Sequence, residues 1–375
     1  MVFQGDCRHS NESFNEHKNM FDSITSQYIS HATLVEGFIR NNNKLLRCLF
    51  IENSNFINYI AARTFSEKPR VLKRWRVWIR ALEKTVMNHS DQFDICIAII
   101  PKGYDDKFKE LYNYKCNPCV RQIIDLSGSI DEIKNNFHKT KRQISNSIIS
   151  KSKLTYRISN DLKDFNHFYH DMFIPHIKKK HGDLGIESYE EMKPYFLKGF
   201  VLLVSCEGET VSGALCVVKD KTLVFRRTGV LNGDEKYIKL GAQNALYLFM
   251  ICYAKELGLD HLDTMNSLSV LNDGVYNAKR EWGSTVYPDE ESEYWIYFII
   301  PKFTDKISQF FEVNPFIIHQ KDGLCGLVGF NGDSCLVNGG AKELNKKYYA
   351  PGINNLLVLT PESEKAMKIP LSGHD

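Results

Sequence analysis

The chain has 375 residues, of which 43% are hydrophobic and 25% are charged. These fractions are typical of a folded globular protein, and at roughly 150 residues per domain the length predicts two domains. The 48 basic and 45 acidic residues give a net charge of +3, so bulk charge offers no argument for binding nucleic acid or an anionic membrane.

The N-terminal residues contain no apolar signal core, and the longest purely apolar stretch, residues 245–254, is far shorter than a membrane span. Several cysteines lie within apolar runs, a pattern typical of free, buried thiols in a reducing compartment: Cys48, Cys96, Cys216 and Cys252. We therefore expect a cytoplasmic protein. The CxxC pair of Cys116 and Cys119 has no second ligand pair at metal-binding spacing, so it does not favour a zinc site. A strand-like run, residues 120–126, follows the pair where a redox CxxC needs a helix start, so a redox role is not favoured either.

The first half predicts a polar, loosely ordered arm over residues 1–30 and an α/β domain over residues 31–126. Runs rich in Ile, Leu and Cys predict strands at 45–52 and 93–101. Between them, apolar side chains recur at helical spacing, which predicts a helix over residues 73–88: Trp75, Trp78, Ile79, Leu82 and Val86.

Two capping boxes mark helix starts in the second half, one from Ser129 to Glu132 and one from Ser188 to Glu191. The first helix is expected to reach about residue 150 and the second about residue 198, with a strand at 154–158 and a helix at 162–180 between them. The segment 134–153 holds six basic residues and no acid. That pattern is typical of a solvated helix face, and it also fits one wall of a site for a phosphate-rich donor.

A run of strands follows, at 200–205, 211–218 and 222–230, joined by short turns that predict an antiparallel meander. A long helix over 240–257, closed by Gly258, then crosses to a parallel strand at 261–265. A helix at 273–281 and strands after Gly283 and at 294–300 complete the series. We expect a wedge where the strands 222–230 and 261–265 diverge, because ligands favour such openings.

Residues 301–375 are Gly-rich between 323 and 340, with strand-like segments at 325–330, 336–338 and 356–359. They predict a β-rich lobe appended to the C-terminus, whose role the sequence does not give.

This order of elements is that of the GNAT fold, and residues 126–286 resemble its FemAB-like and BioF2-like branch, whose best-known members transfer amino acids from aminoacyl-tRNA to peptidoglycan precursors. Three segments carry the resemblance: the basic helix at 138–144, the long helix at 242–258 with Asp263 on the next strand, and the segment 276–283. In the last segment Lys279 is followed three and four residues later by Trp282 and Gly283.

The resemblance implies an α/β (α+β) fold of mixed sheets flanked by helices, in a tandem GNAT-like arrangement. Residues 127–300 would form the acyltransferase domain, and residues 31–126 a degenerate GNAT-like partner.

One segment departs from the acetyl-CoA-dependent pattern, in which a basic or amide residue and two glycines precede the long helix and hold a pyrophosphate. Gly241 is present, but Ile238 and Gln243 stand at the other positions. The unpaired amides at the helix start remain available for an anion, and Lys236 and Lys239 add positive charge there.

By resemblance, Lys279 lies beside the donor or acceptor phosphate and the reacting carbonyl, where its cation stabilises the oxyanion or the phosphate. The alternative is a solvated lysine at a helix end. Asp263 is a candidate to accept a proton from the incoming ammonium, and equally a candidate to cap the next turn. Asn266 is a candidate binding residue or a local turn former.

Tyr276 shares a helix face with Lys279 and is a candidate donor to the leaving group, although a packed aromatic is the favoured alternative. Arg226 and Arg227 lie on the last meander strand, where alternation sends one to each face and one into the cleft. Arg142, on the basic helix, is a candidate donor-binding residue.

The predicted function is N-acyl or aminoacyl transfer from an acyl-CoA, an acyl carrier protein or an aminoacyl-tRNA to an amine on a small molecule or peptide. We expect no tightly bound cofactor, no metal and no membrane span. A non-catalytic binding module on the same scaffold is the alternative, and nucleic-acid binding through the basic helix alone ranks third.

Overall fold

The computed structural model describes residues 29–52, 56–104, 110–151, 153–330, 340–361 and 366–372. The predicted arm lies outside these residues except for its last two, and so does the predicted strand at 336–338. The fold is mixed α/β, because each of its three sheets combines parallel and antiparallel strand pairs and helices flank them.

The strands pair largely where alternating or continuous apolar runs occur in the sequence. In chain order they are β1 (Ile29–Phe38), β2 (Leu45–Glu52), β3 (Arg70–Trp78), β4 (Ile95–Pro101), β5 (Tyr114–Cys116), β6 (Cys119–Asp125), β7 (Leu154–Ser159), β8 (Phe200–Cys206), β9 (Glu209–Lys219), β10 (Thr222–Val230), β11 (His261–Leu268), β12 (Thr285–Pro288), β13 (Tyr294–Ile299), β14 (Phe316–Gln320), β15 (Gly323–Gly329), β16 (Ile353–Leu359) and β17 (Met367–Pro370).

The α-helices are α1 (Phe56–Thr64), α2 (Leu82–Met87), α3 (Ile130–Asn135), α4 (Lys139–Lys151), α5 (Leu162–His167), α6 (Ile174–His181), α7 (Tyr189–Lys198), α8 (Glu235–Lys239), α9 (Ala242–Glu256), α10 (Gly274–Arg280), α11 (Asp305–Val313) and α12 (Ala341–Tyr348). A π-helix, Phe168–Phe173, joins α5 to α6, and short 3-10 turns lie at Ile79–Ala81, Asp183–Gly185 and Leu231–Gly233. None of the described helices combines the length and apolar character needed to cross a membrane.

The described chain forms two compact units. The first unit comprises residues 121–266 and 277–287 and contains a sheet of order β12-β6-β11-β10-β9-β8-β7. The second unit comprises residues 29–120, Ser267–Tyr276 and the described residues from Pro288 onward. It contains two sheets, of order β3-β1-β2-β4-β13-β5 and β14-β15-β16-β17. Residues 294–299, grouped with the second-half domain from sequence, pair with β4 and β5 in the six-stranded sheet. Conversely β6, grouped with the N-terminal domain from sequence, pairs between β12 and β11 in the sheet of the first unit.

Two apolar layers enclose the sheet of the first unit. On one face, side chains such as Leu202 and Ala214 pack with α9 in one buried cluster. On the other face, their neighbours Leu203 and Leu215 pack with α5, α7 and the π-helix in a second cluster. Alternate residues of a strand point to opposite faces, so β8 and β9 are buried on both sides and read as continuous apolar runs.

Both capping boxes are confirmed. The hydroxyls of Ser129 and Ser188 each accept a hydrogen bond from the backbone N–H of the glutamate three residues later, and the backbone N–H of each serine donates to the carboxylate of that glutamate. The single helix predicted to reach residue 150 is wrong: it breaks into α3 and α4. The chain segment around Gly283 approaches the break closely, since a Cβ on Gly283 would lie 2.8 Å from the carbonyl oxygen of Asn136.

The helix predicted over residues 73–88 is also wrong. Residues up to Trp78 form β3, which pairs antiparallel with β1, and only Leu82–Met87 is α-helical. Trp75 and Val77 lie on the core side of β3, and Ile79 continues the same apolar surface, so a period of two produced an apparent helical spacing.

The four cysteines predicted to be free thiols are free, and Cys48, Cys96 and Cys216 are fully buried. Burial raises the pKa of all three thiols. Cys116 is a free thiol, so no disulfide joins it to Cys119. Among the described residues no cluster of His, Cys, Asp and Glu has the geometry of a metal site.

Candidate functional site

The sheet of the first unit opens between β10 and β11. The two strands pair in parallel only from Thr222 opposite His261 to Val224 opposite Asp263. A β-bulge follows at once on β10, between Phe225 and Arg227. We call residues 225–230 of β10 and 264–266 of β11 the strand opening, and it lies where the sequence predicted a wedge.

Lys279 lies at this opening. Its side chain reaches from α10 to the carbonyl oxygens of Met265 and Asn266, at 3.1 and 2.8 Å from Nζ. The residue is only 6% exposed, so the alternative of a solvated lysine is wrong. A buried ammonium is tolerated because the two carbonyls hydrogen-bond it, which fixes a positive charge where β11 leaves its neighbour.

Asp263 supports the same turn and is 1% exposed. Its Oδ2 accepts hydrogen bonds from Nε and Nη2 of Arg121, at 3.0 and 2.5 Å. Its Oδ1 accepts the backbone N–H of Met265 at 2.8 Å. Met265 has a φ of +68°, a left-handed conformation that is costly for a side chain other than glycine. The carboxylate therefore stabilises the turn that aims two carbonyls at Lys279.

Arg226 and Arg227 both face Glu187, at the start of the segment leading into α7. The guanidinium groups lie 3.6 and 2.5 Å from its carboxylate oxygens. The predicted alternation, with one arginine on each face, is wrong because the β-bulge turns the two side chains the same way. Arg226 also stacks on Tyr195, with its guanidinium carbon 3.6 Å from the ring centroid.

The Arg226 side chain is 9% exposed, and its Nε and Nη2 make no hydrogen bond among the described residues. Its Nη2 meets the Glu187 carboxylate only at 3.6 Å, which is an ion pair without a hydrogen bond, and a ligand carboxylate or phosphate would supply the hydrogen bonds that this buried edge lacks.

The segment before α9 is helical rather than an open glycine loop. Lys236 and Lys239 are exposed on α8, and Lys236 pairs with Asp234 at 3.8 Å and lies over the ring of Tyr237. Gly241, with a φ of +92°, ends this turn and begins α9. Arg142 is exposed on α4.

Side chains that were not predicted to be site residues surround the start of α9. Lys141 donates from Nζ to Oδ1 of Asn244 at 2.8 Å and lies 3.5 Å from a carboxylate oxygen of Glu281. Buried His176 lies 3.0 Å, Nε2 to Nε2, from the side chain of Gln243. Lys141 lies in the basic helix, Glu281 in the segment 276–283 and Gln243 in the departing segment before the long helix, so the sequence marked their segments without assigning them a role.

Trp282 and Gly283 have structural roles in the 276–283 segment. Trp282 is 1% exposed and stacks on Tyr247, with Phe137 edge-on at 5.1 Å. Gly283 has a φ of +73°, which glycine adopts without strain. Tyr276 is fully buried in the second unit, and its N–H donates to Oδ1 of Asp273, which caps α10. The structure thus brings Lys279, Asp263 and Asn266 together, and gives Tyr276 a packed position.

From β7 to β12 the first unit follows the element order predicted from the sequence as that of the GNAT fold: a strand, helices, three antiparallel strands, helices, a parallel strand, a helix and a strand. The unit also contains β6, α3 and α4 before β7, and β6 lies between β12 and β11 in the sheet. No protein-family model matches the chain, and no curated protein matches it.

Solved structures do show similarity to the chain. FemX is 12% identical with a TM-score of 0.39, over 75% of this chain and 90% of that one. L-PGS from Bacillus licheniformis is 13% identical with a TM-score of 0.37, over 74% and 87%. A GCN5-related N-acetyltransferase from Kribbella flavida is 13% identical with a TM-score of 0.26, over 60% and 75%.

Proposed function

We propose that the strand opening is the active cleft of an N-acyl or aminoacyl transferase. The observation that supports this function is the buried ammonium of Lys279, held by two carbonyls where β10 and β11 diverge. Such a site offers a fixed positive charge and free strand edges to a substrate carbonyl, and acyl transfer needs little more than position and charge.

In the proposed reaction a neutral amine attacks the carbonyl carbon of the donor, and a C–N bond forms as the C–S or C–O bond to the carrier breaks. The proton lost by the amine goes to the leaving thiolate or alkoxide. Lys279 stabilises the oxyanion or a donor phosphate by its charge. Asp263 acts as a positioning residue, because Arg121 and the Met265 N–H already occupy both carboxylate oxygens.

The remaining candidates divide between donor and acceptor. We assign the exposed cations Lys236, Lys239 and Arg142, with the turn at Gly241, to a phosphate-bearing donor. We assign Arg226 and Arg227, and the backbone and side chain of Asn266, to an acceptor that carries an anionic group. A helix stands where acetyl-CoA-dependent enzymes have an open glycine loop, so an aminoacyl-tRNA or a carrier-protein thioester is the favoured donor.

A non-catalytic binding module is the second candidate. Two observations favour it: both oxygens of Asp263 are engaged, and Lys279 is committed to two backbone carbonyls. In that case the opening binds an acyl or aminoacyl ligand without transferring it.

The test presents the full chain with acyl-CoAs, acyl carrier protein thioesters and aminoacyl-tRNAs, each with a mixture of amines, and follows product by mass spectrometry. Lys279→Arg keeps the charge and alters its position, and Lys198→Arg, at an exposed lysine of the first unit, is the matched control. We expect kcat to fall at least tenfold in Lys279→Arg with little change in KM, and no change in the control. Binding without turnover supports the second candidate, and neither binding nor turnover contradicts both.

A further inference from the structure

The edge strand β3 carries an unusual concentration of positive charge. Between residues 68 and 80 there are six basic side chains and no acidic one: Lys68, Arg70, Lys73, Arg74, Arg76 and Arg80. The chain as a whole has a net charge of only +3. This segment therefore holds a local excess of charge that the composition does not show.

The geometry keeps this charge in solvent. β3 is the first strand of the six-stranded sheet, and among the described residues it pairs only with β1, so none of them occupies its other edge. Arg70, Lys73, Arg74 and Arg76 are exposed. Nine extended residues span about 30 Å at ~3.3 Å each, so the cations form a line along one edge of the sheet.

Opposite the cations of β3, the strand β1 places one acid, and that acid is engaged elsewhere. On β1, His31 lies opposite Arg76 and Thr33 opposite Arg74. Glu36 lies opposite Arg70, but its carboxylate accepts a hydrogen bond from Nε of Arg47 at 2.7 Å. Glu67 and Glu83 are exposed just outside the segment.

One indole lies beside the cations on each face of β3. Trp78 is 57% exposed at the end of β3, on the same face as Arg74 and Arg76. On the opposite face Trp75 stacks on His89 with ring centroids 5.1 Å apart, and Nζ of Lys73 lies 4.9 Å from its centroid. An indole beside guanidinium groups offers a surface on which an unpaired base can stack.

Protection of the sheet edge does not explain the whole pattern. Edge strands often carry one or two charges that prevent pairing with another chain. Here the strand also exposes Trp78 and Val71, at 57% and 48%. Exposed apolar side chains on an edge strand promote aggregation with other chains, which is the opposite of what protective charges achieve. Four of the six cations are arginines, which bind phosphate through two parallel hydrogen bonds.

We propose that the exposed edge and the Arg74–Trp78 face of β3 form a binding surface for RNA, with the arginines on the phosphates and Trp78 stacked on a base. The line of cations fits a polyanion, and one exposed indole on the same face as two arginines favours nucleic acid over an anionic membrane, which takes several apolar side chains on one face. This inference does not rest on acyl transfer, because the surface belongs to the second unit.

The experiment measures fluorescence anisotropy of a labelled unstructured RNA and of a labelled tRNA with the full chain, at several salt concentrations and without any acyl donor. We expect the double variant Arg74→Gln/Arg76→Gln to bind at least tenfold more weakly, and the slope of log K against log salt to shrink by about 1.4 for the unstructured RNA. Trp78→Ala should weaken binding at least fivefold and leave the slope unchanged. Circular dichroism checks that each variant is folded, and Arg74→Lys/Arg76→Lys, which keeps the charge, should bind more tightly than the glutamine pair.

The matched control is Lys198→Gln/Lys219→Gln, which removes two exposed cations from the first unit. An equal loss of affinity in this control would overturn the proposal, because net charge alone would then explain binding. Absence of RNA binding at ~50 mM salt would overturn it too, as would Trp78-dependent binding to phosphatidylserine vesicles without binding to RNA. If the glutamine pair aggregates, and both the lysine pair and Trp78→Ala bind RNA as tightly as the native chain, β3 is only a protected edge.

Discussion

At the scale of single residues, the central feature of the first unit is a lysine whose side chain donates hydrogen bonds to backbone carbonyls. Lys279 hydrogen-bonds two carbonyls that follow a left-handed residue, Met265, and Asp263 fixes that residue from the other side. Charge, turn and strand opening are therefore one arrangement. A residue in such a place affects stability as well as chemistry, and the two effects need separate measurements.

The stability effect is tested with Lys279→Met, which keeps the length of the side chain and removes its donors. We expect the free energy of unfolding in urea to fall by about 2–4 kcal/mol, since hydrogen bonds from charged groups contribute roughly 1.5–3 kcal/mol each and two buried carbonyls lose their donor. Lys198→Met, at an exposed position, should change it by less than ~0.5 kcal/mol. Equal values for the two variants would mean that the carbonyls do not depend on Lys279.

A second residue-scale prediction concerns His319 on β14. Its ring lies 2.6 Å from Oδ1 of Asn117 and edge-on to Trp295. Burial, with the nearby charges of Lys115 and Lys102, lowers the pKa of His319 from 6.5 to about 4. Below pH 6.5 the unfolded chain therefore binds a proton that the folded chain does not. The stability due to neutral His319 is fully present above pH 6.5 and is lost as the pH falls toward 4.

The measurement is the free energy of unfolding from pH 7.5 to pH 4 for the native chain and His319→Gln, which cannot protonate. At about 1.4 kcal/mol per pKa unit, the native chain should lose roughly 2–3 kcal/mol more than the variant over this interval. Parallel curves would show that His319 titrates normally in the folded state.

The sequence identified only part of the site, for a physical reason. Lys279 and Asp263 lie in segments whose local pattern is recognisable. Arg121 is 142 residues before Asp263 in the chain, and nothing near Arg121 indicates an ion pair across that distance. Glu187 was missed as well, because its arginine partners face it as a result of a β-bulge that the alternation rule does not anticipate.

At the scale of elements, prediction succeeded where the local sequence contains signals that mark the start or end of a helix or strand. The capping boxes correctly gave the starts of α3 and α7, and the left-handed Gly258 correctly gave the end of α9. It failed where pairing with distant residues decides the conformation. β3 is a strand because β1 pairs with it, and the π-helix before α6 packs against a glycine of β10 that has no local signature.

That glycine gives an element-scale prediction. A Cβ on Gly229 would lie 2.5 Å from the backbone carbon of Met172 and the backbone nitrogen of Phe173, both in the π-helix. The backbone of β10 and the backbone of the π-helix cannot move aside as a flexible side chain can. Gly229→Ala should therefore lower the free energy of unfolding by at least ~2 kcal/mol. Gly274→Ala is the control: it opens α10 with nothing within 4 Å, and alanine is the better helix former. It should be neutral or slightly stabilising. A Gly229→Ala chain as stable as the native one would contradict the close approach of strand and helix.

At the scale of the whole chain, neither unit is a continuous stretch of sequence. The first unit is interrupted between residues 266 and 277, and the second takes its strands from both ends of the chain. Composition and element order predict two domains, but they divide the chain into consecutive pieces. The β13 strand shows why this fails. It follows the last strand of the first unit closely in sequence, yet it pairs between β4 and β5.

The insertion of β13 predicts how the second unit opens. Cys48, Cys96 and Cys116 lie on β2, β4 and β5, and each is a free, fully buried thiol. Burial raises the pKa of each thiol, which keeps the reactive thiolate scarce in the folded state. β5 is joined to β4 only through β13, so Cys116 stays protected only while β13 is in place. We expect the three thiols to become reactive at one common urea concentration when labelling is followed residue by residue by mass spectrometry.

Partly exposed Cys206 of the first unit, labelled before any urea is added, is the internal control. Labelling of Cys116 at a clearly lower urea concentration than Cys48 and Cys96 would mean that β5 and β13 are not part of one cooperative sheet.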